Sequence, residues 1–169
     1  DVASGKISEC ETFSGYIVRE GRKAGLSLPI SEKMYLELKK KKADVYHHMG
    51  YNCAQAVACC YCEEMGIDEQ TVFELTEGFG LGMGGMEGTC GAVSGAVAVL
   101  GRMNSTGNLA KPDSKGSTYQ LTRELIRRFR MKNQSTVCRE LKGMTTGTML
   151  RSCRGCVEDS VRILDDILE

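Results

Sequence analysis

The segment Thr89-Cys90-Gly91-Ala92-Val93-Ser94-Gly95, which runs on apolar to Leu100, constrains this chain most: it reads as a buried, glycine-studded helix with a cysteine at its mouth. Gly91 and Gly95 stand four apart, on one helix face, and leave that face open to a second helix, a second sulfur or a metal cluster. Thr89 is a suitable N-cap, which predicts Cys90 at the first helical position. There the free N–H groups and the helix dipole favour the thiolate, the form that attacks disulfides and binds metals.

A helix of that kind needs other helices around it. The long segments have helical rather than alternating period, and the chain has two prolines and no tryptophan. The expected class is therefore all-α, a compact helical bundle of about five to six helices with a Gly-rich loop before the Cys90 helix. At 169 residues the chain is one domain by length, able to bury a core without disulfide staples. Residues 1–30 carry glycines at irregular intervals and are expected as a poorly structured arm with a short helix near Tyr16 to Lys23; residues 31–169 form the helical cysteine-motif domain.

Several function classes are excluded by composition. Twenty-two basic and 22 acidic residues cancel, so no field draws the chain to nucleic acid or to an anionic membrane. Its longest apolar segment, Ala92 to Leu100, is too short for a membrane span. No secretory signal is visible in the sequence. The Lys39-Lys40-Lys41-Lys42 run is expected as a solvated face of the first long helix, whose buried stripe is Tyr35, Leu38, Val45, Tyr46 and Met49. Arg127, Arg128, Arg130 and Lys132 suit the C-terminal dipole of their own helix more than an anion site. The stretch from Gly78 to Gly88 contains a formal G-x-G-x-x-G at Gly80, Gly82 and Gly85, but it follows a helical segment rather than a strand and has no acidic residue at the right distance beyond it. Its glycines are expected to let backbone pass close to the Cys90 site, with Leu81, Met83 and Met86 packed around it.

Nine cysteines are the outlying feature of the composition: Cys10, Cys53, Cys59, Cys60, Cys62, Cys90, Cys138, Cys153 and Cys156. An odd number, bunched at Cys59 to Cys62, does not suit a secreted disulfide scaffold and points to a reducing cytoplasm. Cys10 reads as an incidental thiol. Cys59, Cys60 and Cys62 fall inside an apolar helix from Cys53 to Met65, where cysteine acts as a small hydrophobe. The remaining pattern is more specific. Cys53, Cys90, Cys138 and Cys153 each stand within a turn of an expected helix start, behind Asn52, Thr89, Thr136 and Ser152. If those starts converge, four sulfurs meet at one electropositive end, suited to thiol–disulfide exchange or to holding iron or zinc. Cys153-Arg154-Gly155-Cys156 is also a C-x-x-C at a helix start, with Cys156 placed as a resolving thiol. His47 and His48 are adjacent, so only one of them could face a metal from a regular helix.

The order Cys53, then Cys90-Gly91-Ala92-x-x-Gly95, then Cys138, then Cys153 resembles the redox-active family named for its Cys, Cys-Gly-Ala-x-x-Gly, Cys, Cys pattern. Asn52-Cys53-Ala54-Gln55-Ala56-Val57, Cys138-Arg139-Glu140-Leu141 and Val157-Glu158-Asp159 extend the likeness from about residue 35 to the C-terminus. What the resemblance implies is redox activity at the four cysteines. A related domain occurs in a multihaem cytochrome that also carries iron–sulfur centres, but the haem-attachment motif C-x-x-C-H is missing from this chain. Three functions follow as expectations. The first is thiol–disulfide chemistry, with Cys90 or Cys153 attacking and a redox protein as partner. The second is an iron–sulfur or zinc protein that uses Cys53, Cys90, Cys138 and Cys153 as ligands, Gly91 and Gly95 giving the cofactor room. The third is a helical interaction module with cysteines as core filler. A glycine-faced helix and many methionines make a homo-oligomer an expectation too.

Overall fold

A computed structural model describes residues 14–168. Among them every regular element is helical, and one isolated antiparallel bridge joins Thr89 to Val137. The elements are α1 (Tyr16–Lys23), α2 (Pro29–His48), α3 (Cys53–Ala58), a 3₁₀ turn (Cys59–Tyr61), α4 (Cys62–Met65), α5 (Glu69–Thr76), a second 3₁₀ turn (Glu77–Phe79), α6 (Gly80–Met83), α7 (Gly91–Asn104), α8 (Lys115–Asn133), α9 (Cys138–Leu141) and α10 (Cys153–Leu168). The all-α class is as expected, but the described residues hold ten α-helical segments and two 3₁₀ turns rather than five to six helices. The extra ones arise where single-turn helices stand beside breaks in the backbone. The expected helix from Cys53 to Met65 is one such case, because Tyr61 leaves the helical path at φ −115 and ψ 16. Cys10 lies outside the described residues, as does most of the first half of the expected arm.

At the centre are α7 and α10. Helix α7 packs against α3, α8 and α10, while α10 also meets α2, α3 and α8. The core they share contains Val57, Val93, Ala96, Val99, Leu100, Leu125, Phe129, Val161 and Leu164, all removed from solvent. Gly95 makes the α3–α7 approach possible, since a Cβ there would run into the carbonyl oxygen of Ala54. Gly91 faces the same helix, its hypothetical Cβ 3.2 Å from the Ala54 nitrogen and 3.0 Å from the Phe79 oxygen. A second helix is therefore what the glycine face of α7 admits.

Two charged clusters are sunk into this core. The buried stripe of α2 is Tyr35, Lys39, Ala43 and Tyr46, so Lys39 departs from the expected solvated face. It is 2% exposed. Its Nζ lies 2.6 Å from Glu64 and 2.9 Å from Asp165, between the rings of Tyr35 and Tyr61 at 4.3 and 4.2 Å from their centroids. A buried cation is tolerable only when paired in this way. Asp159 of α10, fully buried, is bound by Lys132 of α8 and by Arg151 Nε at 3.0 Å. Arg127 and Arg128 pair with Glu124, so most of the basic end of α8 is occupied within the protein. None of the described helices is long and apolar enough to cross a membrane.

Candidate functional site

The four helix starts converge. A cavity of about 320 Å³ is lined by Cys53, Cys90, Cys138, Cys153 and Cys156, together with His47, Lys142 and Arg151. Asn52 positions the first sulfur as expected: its side chain accepts N–H bonds from Ala54 and Gln55 at 2.9 and 3.0 Å, and Gln55 accepts in return from the Asn52 amide at 2.9 Å. This reciprocal capping box fixes Cys53 at the start of α3. Ser152 likewise caps α10, accepting from the Gly155 amide at 3.1 Å.

Thr89 and Thr136 do not cap. Cys90 is itself the residue before α7, and Val137 is the residue before α9. The two loops instead pair with each other: the Cys90 amide donates to Thr136 O at 2.7 Å, and the Cys138 amide to Gly88 O at 3.1 Å. A short strand-like zipper thus holds Cys90 and Cys138 side by side. The glycine run serves it. Leu81, Gly82, Met83 and Gly84 have successive positive φ values of 52, 58, 62 and 81, a left-handed turn that costs a leucine or methionine on the order of 1–3 kcal/mol. At Gly82 a Cβ would lie 2.5 Å from the Cβ of Cys138, and at Gly80 one would lie 2.6 Å from Asn52. Leu81 reaches the cavity, whereas Met83 borders a separate groove between α7 and α8.

Electrostatically the sulfurs form pairs. The Cys53 thiol hydrogen-bonds the sulfur of Cys153; this lowers Cys153 to about 6, with help from Lys142 and His47 against the cost of burial. The same hydrogen bond, followed by burial, holds the Cys53 thiol well above its ordinary range. His47 Nε2 stands 3.8 Å from the Cys53 sulfur. Cys90 and Cys156 repeat the arrangement. The Cys156 hydrogen bond lowers Cys90, opposed by burial and aided by the amides of Ala92 and Val93 at the start of α7, although no cap bond closes on the sulfur. Cys156 is raised by that bond and by burial. Cys138 stands outside both pairs, raised by burial first and then by the Cys90 charge. Exposure separates the two low-pKa thiols. Cys90 is 5% exposed, while Cys153 is open to solvent in part.

Residues 51–167 match the model of a family described as "Putative redox-active protein (C_GCAxxG_C_C)". The chain belongs to that family. No curated protein and no solved structure matches it. The family match covers α3 to α10, and so every sulfur that lines the cavity, but begins after His47.

Arg151 and Lys142 are cavity residues that the sequence reading passes over. Lys142 stands four residues after Cys138, the spacing that places two side chains on one helical face, and that signal was open to use. Arg151 had no local signal, because it is placed by Asp159 eight residues further on. Gly155 completes the arrangement: a Cβ there would strike the Arg151 guanidinium.

Proposed function

We propose that this member of the redox-active family performs thiol–disulfide exchange, with Cys153 as the attacking thiol and Cys53 as the resolving one. The observation that carries the reading is that Cys53 and the partly exposed Cys153 line one cavity beside His47 and Lys142. A thiolate that is both accessible and formed at neutral pH is what attack on a disulfide needs. The Cys153 thiolate attacks one sulfur of a partner disulfide, the S–S bond breaks, and the leaving thiolate takes a proton. Cys53 then gives up its proton and attacks the Cys153 sulfur, expelling the second thiol. Two electrons pass from the dithiol to the partner, and a Cys53–Cys153 disulfide remains. Lys142 and His47 stabilise the Cys153 thiolate, and Arg151 adds positive charge at the cavity wall. Such chemistry suits a reducing compartment, the cytoplasm, with a disulfide-bearing protein as partner.

The test uses glutathione disulfide and mass mapping. Wild-type protein is expected to acquire the Cys53–Cys153 disulfide, Cys53→Ser to retain one glutathione on Cys153, and Cys153→Ser to do neither. Glutathione found on other cysteines while Cys153 stays reduced would overturn the reading.

A second reading rests on the enclosed space. Five thiols line about 320 Å³, a donor set whose chemistry suits an iron–sulfur cluster or zinc, with Cys53, Cys90, Cys138 and Cys153 as the ligands, although among the described residues no three such side chains are grouped closely enough to hold a metal ion as they stand. Bound there, such a group would supply one-electron transfer or a structural tie. The dithiol reading stands first because Cys153 is partly exposed to a partner and is lowered into the neutral range. Anaerobic purification followed by elemental analysis and a visible spectrum separates the two: stoichiometric iron or zinc that is lost in Cys138→Ser favours the second, since Cys138 has no part in the first.

A further inference from the structure

The charged side chains that line the cysteine cavity are all basic. His47, Lys142 and Arg151 reach it, and among the described residues no aspartate or glutamate does. The neighbouring groove between α2 and α10 differs in kind: it shares His47 but mixes Lys40, Lys41 and Arg154 with Glu37, Asp44 and Glu158. There the cations are matched, Lys40 Nζ lying 2.9 Å from both Glu37 and Glu158, and Arg154 Nε 2.7 Å from Asp44. In the cavity a single sign of charge stands beside the apolar side chains of Leu81 and Leu141. A cleft of that kind focuses its field on whatever enters.

Arg151 is built into the wall. Asp159 accepts from its Nε at 3.0 Å and from Nη2 at 3.2 Å. The guanidinium lies against the backbone of α10 at Gly155, where a Cβ would come within 2.4 Å of Nε. A guanidinium offers five N–H donors, and among the described residues Nη1 donates to none. Lys132 also pairs with Asp159, so one buried carboxylate faces two cations and the cluster stays positive. Lys142 is half-buried, and no carboxylate of the described residues pairs with its ammonium. Its charge acts on both Cys138 and Cys153. An ammonium and a guanidinium that face one space of about 320 Å³ suit a carboxylate.

We propose that the disulfide exchanged in this cavity carries a carboxylate within a few atoms of its sulfurs, which Lys142 and Arg151 hold while Cys153 attacks. Resting on the exchange reading above, this names the substrate class of the same site. The held carboxylate brings the S–S bond to Cys153. The Cys153 thiolate takes one sulfur, the S–S bond breaks, and the departing half is protonated and leaves as a thiol. Cys53 then gives up its proton and displaces the half that is still held. Two electrons pass to the substrate, which leaves as two thiols, and the Cys53–Cys153 disulfide remains. A cationic disulfide meets the same wall as repulsion, and a neutral one gains nothing from it.

The experiment uses full-length Cys53→Ser protein, where the adduct on Cys153 persists, and three disulfides of similar size. Dithiodiglycolate carries two carboxylates, hydroxyethyl disulfide no charge, and cystamine two ammonium groups. Adduct formation at Cys153 is timed by peptide mass, and each rate is divided by that of free mercaptoethanol with the same disulfide, which removes the intrinsic reactivity of the S–S bond. The normalised rates are expected to fall in the order anionic, neutral, cationic, with about tenfold between the first two and less in high salt. Lys142→Met and Arg151→Met should each lower the anionic-to-neutral ratio, from which any change in the nucleophilicity of Cys153 cancels, whereas Lys142→Arg should keep it. Disulfide-linked peptides with aspartate beside each cysteine, set against their asparagine counterparts, distinguish the source of the carboxylate: a larger ratio there assigns it to a protein segment, a smaller one to a free small molecule. Equal normalised rates for the three small disulfides, or ratios unchanged in both methionine variants while helical circular dichroism is kept, overturn the inference and leave the exchange reading standing. Failure of Cys153 to react with all three overturns both.

Discussion

Cys153 is the residue at which separate influences on one sulfur agree. The Cys53 hydrogen bond, the Lys142 ammonium and His47 all favour its charge, against burial that is only partial. Because its value is lowered to about 6, below the ordinary thiol value of about 8.5, the thiolate persists at neutral pH and is lost on acidification through that value. The rate of iodoacetamide alkylation at Cys153, followed by peptide mass, should therefore rise with pH to a plateau centred near the same point. Cys53→Ala removes the leading cause and should move the midpoint upward by a unit or more, toward that of a free thiol (about 8.5). Lys142→Ala should move it the same way by less. A midpoint unchanged in Cys53→Ala would mean that the pair does not set the reactivity of Cys153.

Among the elements, α3 and α7 share the most extensive helix contact, and the glycines of α7 divide into those that serve it and those that do not. At Gly95 a Cβ would meet Ala54 backbone, which cannot give way as a side chain could, so Gly95→Ala should destabilise by about 1–3 kcal/mol, the usual cost of overpacking. Gly101 lies in the same helix with open space around it and an ordinary φ; Gly101→Ala should stabilise by about 0.5–1 kcal/mol. Asn52→Ala, which dismantles the capping box, should cost about 1 kcal/mol. Urea unfolding of the three variants checks both signs, and an unstrained Gly95→Ala would refute the packing argument. These elements also show how far sequence reaches. The course of α2 and the starts of α3 and α10 were legible, because periodicity, Asn52 and Ser152 are local signals, whereas the convergence of the cysteines was legible only as a condition on how the helices pack. The roles of Thr89 and Thr136 were not, since their segments are held by each other across more than forty residues of chain. Nor was the 3₁₀ turn at Cys59, in a run so uniformly apolar that no period marks a break. The pinning of Arg151 by Asp159 escaped for the same reason as Lys39: a buried charge is revealed by its partners, and those lie on other helices.

For the whole molecule, the Lys39 cluster is the tie that matters. Lys39 of α2, Glu64 of α4 and Asp165 of α10 meet in the interior, with the Tyr35 hydroxyl also donating to Glu64 at 2.7 Å. Helix α10 carries Cys153 at one end and Asp165 twelve residues later, roughly 18 Å away at 1.5 Å per residue. The cluster and the cavity thus share a rod without sharing side chains. Removing the cation in Lys39→Met keeps the volume but strands two carboxylates, a loss of about 3–5 kcal/mol for a buried pair that is broken. The pH dependence has a definite sign. Burial alone would raise Glu64, but the Lys39 charge and hydrogen bonds leave it lowered, so its contribution is present above the unfolded carboxyl value of about 4.3 and is lost as pH falls through the folded one. In Lys39→Met the lowering influence on Glu64 is gone and burial remains, so the slope should reverse: wild type loses stability on acidification below about pH 4.3, whereas the variant gains relative to its own neutral value as the stranded Glu64 carboxyl protonates. Urea midpoints measured from neutral pH downward test this, and parallel curves for the two proteins would show that the cluster does not act as a unit. Where Lys39→Met remains folded, the alkylation midpoint of Cys153 should stay where it is in wild type, because none of the groups that set it has moved.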